Sequence, residues 1–329
     1  MALVGSLTRS GASSPLGEKV PTLRAVFLGN DAWSVPPLEA LAGSSHDLVR
    51  VITRTPRPAG RGNALRSTAV AEAAREMNLP LSEIDSIGDA EAVGSMAAEE
   101  PDVLVVVAYG EILPRSVLEL PRLAPVNVHF SLLPKLRGAN PVRAALLTGL
   151  PETGVTTMRM DEGLDTGDVL LQRSEAILED DDAGTLGSRL ANLGGSLLVR
   201  TLDAMAADDL RPVAQDEDAA TYAPKLRRED RTLRWTEDAR TLARTVRALA
   251  PEPAANTSFR GRSLKVYRAV PKDGAGEPGT IVDLDQEGLT VATGAGMLRL
   301  LDVGPQGRRR MSAAQFARGA RPRAGERME

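Results

Sequence analysis

The stretch Asn127-Val-His129-Phe-Ser131-Leu-Leu-Pro134 sets an amide and an imidazole two residues apart. On an extended strand such positions share a face, so the Asn127 carboxamide and the His129 ring converge on one point. Together they offer a fixed hydrogen-bond donor and a group able to move a proton near neutral pH. A lone histidine is more often a satisfied structural group. The paired amide, the Pro-bounded exit and the presence of only two histidines in 329 residues favour the chemical reading. A carboxylate is then needed to keep the histidine charged or correctly oriented. The candidates cluster in Asp161-Glu-Gly-Leu-Asp165-Thr-Gly-Asp168, where two glycines let the backbone turn tightly. Asp165 is the one best placed to face inward, while spacing leaves Asp161, Glu162 and Asp168 open as solvated loop charges. The oxygen spacing is wrong for a calcium loop.

The elements that must position these groups alternate along the chain. Strands are predicted over residues 23–28, 48–53, 102–108, 125–129, 153–160 and 169–176, and helices over 35–41, 69–77, 93–99, 141–147 and 185–205. The run Asp-Val-Leu-Val-Val-Val-Ala at 102–108 has the continuous apolar character of a strand buried on both faces. Alternation at this spacing implies a doubly wound, Rossmann-like α/β sheet, which binds ligands at the C-terminal ends of its strands. The turn Gly29-Asn-Asp-Ala-Trp33 lacks the glycine spacing for a pyrophosphate. Gly274-Ala-Gly276-Glu-Pro-Gly279 matches a dinucleotide fingerprint literally, but Pro278 and the β pattern after it contradict the required helix. A nicotinamide enzyme is thereby disfavoured.

Residues 208–224 are polar, acidic, Pro-bounded and aperiodic, as a linker would be. Beyond them come a helix at 236–249, with Thr236 as a possible N-cap, and about five short strands set off by Gly, Asp or Pro, a pattern of small barrels. The expected layout is a leader at 1–21, a catalytic domain at 22–207, a linker at 208–224, an OB-like domain at 225–318 and a basic, disorder-prone tail at 319–329. Charge divides the chain in the same way. Residues 1–224 carry 19 Lys/Arg against 31 Asp/Glu, a balance of -12, whereas residues 225–329 carry 21 against 13, a balance of +8. That asymmetry points to a polyanionic partner for the basic half. Sparse aromatics disfavour base stacking, leaving phosphate contacts. Cysteine is absent, excluding disulfides and thiolate nucleophiles, and two histidines make a multi-histidine metal site improbable. No apolar run approaches the roughly 18 residues of a spanning helix, and the Ser/Gly/Pro-rich start lacks a signal-peptide core. A cytoplasmic protein with no membrane association is expected.

Five stretches taken jointly resemble the methionyl-tRNA formyltransferase family: RPAGRGN at 57–63, DVLVVVAYGEILP at 102–114, NVHFSLLP at 127–134, TGVTTMRMDEGLDTGD at 153–168 and TYAPKL at 221–226. NVHFSLLP and GLDTGD also resemble the wider formyltransferases that use 10-formyltetrahydrofolate. The resemblance runs from about residue 23 into the C-terminal domain. It implies formyl transfer from that folate to the amino group of methionine esterified to initiator tRNA, in translation initiation. A monomer is expected. Its catalytic trio falls on Asn127, His129 and Asp165, and its folate contacts on Ser131, Leu132, Leu133, Pro134, Val107, Ala108, Tyr109 and Gly110. The basic loop with Arg57, Arg61, Asn63 and Arg66 would approach the tRNA acceptor end. An OB-like barrel carrying Lys225, Arg260, Arg262 and Lys265 would grip the tRNA body, and no metal is implied.

The residue chemistry agrees with that reading. Attack of an amine on a formyl carbonyl builds negative charge on oxygen and positive charge on nitrogen, which Asn127, a protonated His129 and Asp165 could respectively meet. Phe130 replaces a usually small residue and is expected to narrow the pocket or shift the folate. Asn30-Asp31, Trp33 and Asn140 also depart from the family pattern. Two rivals remain. A formyltransferase acting on an amino-sugar nucleotide would use the same trio but needs no extended basic surface. A non-catalytic RNA-binding protein on the same scaffold would have no reason to retain the trio.

Overall fold

The computed structural model describes residues 21–59 and 64–329, so residues 1–20 of the expected leader, together with Arg61 and Asn63, lie outside the described residues. The chain forms two compact units. One contains the residues up to Ala139, Thr153–Ala176 and Gly187–Tyr222; the other contains Asn140–Glu152, Ile177–Leu186 and Ala223–Glu329.

The first unit is built on a seven-stranded sheet. In chain order its strands are β1 (Arg24–Gly29), β2 (Asp47–Arg54), the small hairpin β3 (Arg57–Ala59) and β4 (Ala64–Arg66), β5 (Leu81–Ile84), β6 (Val103–Val107), β7 (Ala124–His129), β8 (Glu152–Arg159) and β9 (Val169–Ala176). The hairpin stands apart, and the sheet order is β5-β2-β1-β6-β7-β8-β9. The first five strands are parallel and β8 runs antiparallel to β7. Helices α1 (Val35–Ala42), α2 (Ala69–Glu76), α3 (Ala90–Ala97) and α4 (Arg115–Leu118) make the crossovers. Every residue of β6 is buried, as its apolar run requires. The order reverses beside β1, whose neighbours are β2 and β6, so the crevice at the C-terminal ends of β1 and β6 is the topological switch point. The strand β7 ends next to it.

Phe130 does not narrow that crevice. It follows His129 by one position and points to the opposite side, where its ring meets Trp33 edge-on at 6.3 Å between centroids. Gly187 and Gly194, two turns apart on α6 (Ala183–Ala206), make room for this aromatic pair. A Cβ at Gly187 would lie 2.3 Å from the Trp33 ring, and one at Gly194 3.3 Å from Phe130 Cε1. The two aromatic departures from the family pattern are thus one packing solution.

His46 is buried in the same unit, accepting from the Leu23 amide through Nδ1 at 3.3 Å, with Asp203 Oδ1 at 3.3 Å from Nε2. Burial lowers the His46 pKa, with Asp203 opposing the shift. The native state therefore holds the ring neutral, and its contribution to stability is complete above the unfolded value of about 6.5. As pH falls below that value the unfolded chain takes up the proton first, and stability is lost. His46→Gln is expected to flatten the fall in urea midpoint between pH 7.5 and 5.5; an unchanged pH dependence in the variant would refute this.

In the second unit, α5 (Pro141–Thr148) packs on α7 (Ala239–Leu249). The latter starts after Asp238, whose carboxylate accepts from the Arg240 and Thr241 amides, so Asp238 and not Thr236 is the N-cap. An antiparallel sheet follows in the order β10 (Ala255–Phe259), β11 (Arg262–Lys272), β14 (Met297–Pro305), β13 (Leu289–Ala292), β12 (Ile281–Leu284), with β15 (Met311–Ser312) on β14 and then α8 (Ala313–Ala320). Leu242, Val246, Val266, Leu300 and Met328 belong to its core. The edge strands do not stay open. Ser258 exchanges backbone hydrogen bonds with Glu329, while Ile281 receives one from Gly325 and gives one to Glu326. The last residues therefore bridge β10 to β12 and close the barrel, removing both unpaired edges. The expected loose tail at 319–329 is corrected accordingly: Met328 is 2% exposed.

The expected linker is corrected too. Val213 exchanges backbone bonds with Val169, and Thr221 with the Pro134–Arg137 turn, so residues up to Tyr222 are part of the first unit.

Candidate active site

Asn127 and His129 stand at the end of β7 and meet one carboxylate, that of Asp165. Asn127 Nδ2 donates to Asp165 Oδ1 at 3.4 Å, and His129 Nδ1 lies 3.7 Å from Asp165 Oδ2. The Gly138 amide donates to the same Oδ2 at 2.7 Å. His129 Nε2 lies 3.0 Å from the Leu136 carbonyl, an acceptor only, so Nε2 carries a proton and Nδ1 is the nitrogen turned to the site. The His129 and Asp165 side chains are 6% and 15% exposed, which keeps the charge of the carboxylate poorly screened.

The glycines of the carboxylate loop act as their spacing suggests. Asp165 has φ 54°, and a Cβ at Gly167 would fall 1.7 Å from the Arg159 carbonyl oxygen, so this turn admits no side chain there. Asp161 is used inside the loop, accepting from the Gly163 amide and the Thr166 hydroxyl. Glu162 is exposed beside Arg115. Of the four loop acids, Asp165 is the one that meets the histidine.

The expected folate residues divide by exposure. Ser131 is fully buried and its hydroxyl donates to the Lys135 carbonyl, while the Leu133 amide donates to Thr156 Oγ1 and the Leu133 carbonyl accepts from Gln172 Nε2. The Val107 carbonyl is taken by Ser34 Oγ at 2.7 Å. These three are structural in this arrangement. Leu132 and Pro134 are half-buried, and Ala108 and Gly110 are exposed, with φ of 43° and 83° turning their backbone outward. Tyr109 is buried, its hydroxyl has no partner among the described residues, and burial with the neighbouring Glu111 raises its pKa. The exposed peptide groups of Ala108 and Gly110 suit a ligand with polar edges.

Asn30 was not foreseen as part of the site. Its Oδ1 accepts from Thr53 Oγ1 and the Arg54 amide, and its Nδ2 donates to the Tyr109 carbonyl, so it ties the exits of β1, β2 and β6 together. Arg137, Gln215 and Thr221 were equally unforeseen; they brace the loops on either side of Asp165.

The expected tRNA contacts sit on both units. Arg57 and Arg66 are exposed and face each other directly across β3 and β4. Lys225, Arg262 and Lys265 are exposed on the second unit. Arg260 differs, being paired with Glu326 at 2.8 Å and lying over the Phe259 ring. Among the described residues no group of His and carboxylates could hold a metal ion.

Known proteins match this arrangement along most of the chain. The family described as Formyl transferase matches residues 23–202, and its C-terminal domain family matches residues 225–321. A methionyl-tRNA formyltransferase of Pelotomaculum thermopropionicum is 41% identical over 300 residues, covering 90% of this chain and 96% of that protein. HypX from Aquifex aeolicus, solved with tetrahydrofolic acid, superposes with a TM-score of 0.64 at 18% identity over 90% of this chain, which spans about half (47%) of HypX. An N-formyltransferase from Helicobacter canadensis, solved with folinic acid and dTDP-3-aminofucose, gives 0.61 at 16% identity, covering 85% of this chain and 99% of that one. At such identities the two structures speak for the fold alone. The matches over sequence go further: the chain belongs to the methionyl-tRNA formyltransferase family of formyl transferases.

Proposed function

We propose that this enzyme transfers a formyl group from 10-formyltetrahydrofolate to the amino group of methionyl-initiator tRNA, in support of translation initiation. The observation that carries the reading is the convergence of Asn127, His129 and the Gly138 amide on the Asp165 carboxylate beside the switch point.

The folate, when bound, supplies the activated formyl group. We assign its heterocycle to the exposed backbone of Ala108 and Gly110 and the half-buried, apolar Leu132 and Pro134. Asn127 Nδ2 and a protonated His129 Nδ1 supply donors for an oxygen that gains negative charge as the amine attacks. Asp165 balances the imidazolium and accepts the proton that the amine must lose, directly or through one water. The Leu136 carbonyl holds the ring so that Nδ1, and not Nε2, faces the reaction.

The opposed pair Arg57 and Arg66 supports an anionic partner, because like charges directly across strands cost stability that a phosphate would return. The +8 balance of residues 225–329 supports the same partner for the second unit. Among the described residues no helix is long and apolar enough to cross a membrane. The reading is of a monomeric, cytoplasmic enzyme.

A single-turnover assay tests it. Purified protein with 10-formyltetrahydrofolate is expected to formylate methionyl-initiator tRNA and not free methionine. Formylation of an amino-sugar nucleotide in place of the tRNA, or tRNA binding without any formyl transfer, would replace this reading.

A further inference from the structure

Asp165 sits in a left-handed backbone conformation on a loop without regular structure, yet its carboxylate must meet two side chains from β7. Something has to hold it. The described residues show what does: a strap of chain, residues 213–222, laid across the loop. Its start is pinned to β9 by the paired Val213 and Val169 backbones, and its end by Thr221. Thr221 Oγ1 accepts from the Leu136 amide and its carbonyl accepts from the Arg137 amide, bracketing the turn whose Leu136 carbonyl orients His129.

Between these ends lies Gln215. Its Nε2 donates to the carbonyls of Asp165 and Gly167 at 2.8 and 2.7 Å, and its Oε1 accepts from Arg137 Nε and Nη2 at 3.1 and 2.9 Å. Arg137 is fully buried, and Glu217 from the same strap takes the rest of its fork at 2.7 and 2.8 Å. An amide side chain has two donors and an oxygen with two lone pairs, and here all four are used. No other side chain of this length can accept from a guanidinium and donate to two carbonyls at once. The same bonds settle which way the amide points. One residue thus joins the loop bearing Asp165 to the turn that orients His129 and donates to Asp165.

We infer that Gln215 is a positioning residue for formyl transfer, holding the Asp165 loop against the Leu136–Gly138 turn through its bridge to Arg137. This rests on the assignment of Asp165 as the proton acceptor. Gln215 touches no substrate; it acts through the backbone of Asp165 and Gly167. Displacing a reacting group by about 1 Å costs on the order of 100-fold in rate. Removal of the clamp therefore falls on kcat, while the folate and tRNA surfaces stay as they are.

The test is a cycle of Gln215→Glu, Asp165→Asn and the double variant, with full-length protein, methionyl-initiator tRNA and 10-formyltetrahydrofolate. Gln215→Glu is near-isosteric and keeps the acceptor for Arg137 but turns lone pairs toward the two carbonyls. The expected result is a kcat lower by roughly 10- to 100-fold, both KM values within about twofold of wild type, a protein that stays folded at the assay temperature despite a lowered melting temperature, and little added loss in the Asp165→Asn background. Gln215→Ala repeats the measurement without the introduced charge. A Gln215 variant with wild-type kcat beside a crippled Asp165→Asn overturns the positioning role alone. A loss of equal size in both backgrounds also overturns it, since the residue would then act on something other than Asp165. An Asp165→Asn enzyme at the wild-type rate overturns the reading of Asp165 and the positioning role with it.

Discussion

Asp165→Asn is expected to lower kcat for formyl transfer by roughly 100- to 1,000-fold while the fold survives. An asparagine oxygen at this position still accepts from the Gly138 amide, so the turn keeps its 2.7 Å hydrogen bond. What disappears is the negative charge 3.7 Å from His129 Nδ1 and, with it, the carboxylate assigned to accept the amine's proton. Asn127→Ala is expected to fall by a similar factor for a different reason, the loss of a donor to the developing oxyanion. Because both act at one centre, the double variant should lose far less than the product of the two. Single-turnover rates at saturating tRNA and folate measure this directly. A rate within tenfold of wild type for Asp165→Asn would show that proton removal from the amine does not depend on this carboxylate.

The trio was legible because its logic is local. Period two places Asn127 beside His129, and the glycines around Asp165 mark a turn that can face inward. The same alternation puts Phe130 on the other face with Trp33, so its direction could have been read from the rule that paired Asn127 with His129. Gln215 was illegible for a physical reason. It lies in an aperiodic acidic stretch, and its role is defined by Arg137 and Asp165, each dozens of residues away. Met328 is similar: one apolar residue among Arg and Glu carries no period, and only the unpaired barrel edges give it a place. The half-buried β5, Leu-Ser-Glu-Ile, has neither a continuous apolar run nor strong β-branching, which is why it went unpredicted.

Removing the unpaired cations is expected to weaken tRNA binding without touching chemistry. Arg57, Arg66, Lys225, Arg262 and Lys265 are exposed, and none makes an ion pair with a carboxylate among the described residues. Each is free to contact phosphate, and a phosphate contact releases counterion, so its loss lowers the slope of log Kd against log salt by about 1. Replacing all five with Gln should therefore reduce that slope by several units and weaken binding by more than about tenfold at low salt. The kcat at saturating tRNA and the KM for folate should stay near wild type, because none of these five side chains hydrogen-bonds to Asn127, His129 or Asp165 among the described residues. Arg260→Gln is the internal comparison. Its guanidinium already holds Glu326 and stacks on Phe259, so its replacement should lower barrel stability more than it lowers the salt slope. An unchanged slope in the fivefold variant would mean that tRNA is held by contacts other than these, and the meaning given to the charge asymmetry between the two parts of the chain would have to be abandoned.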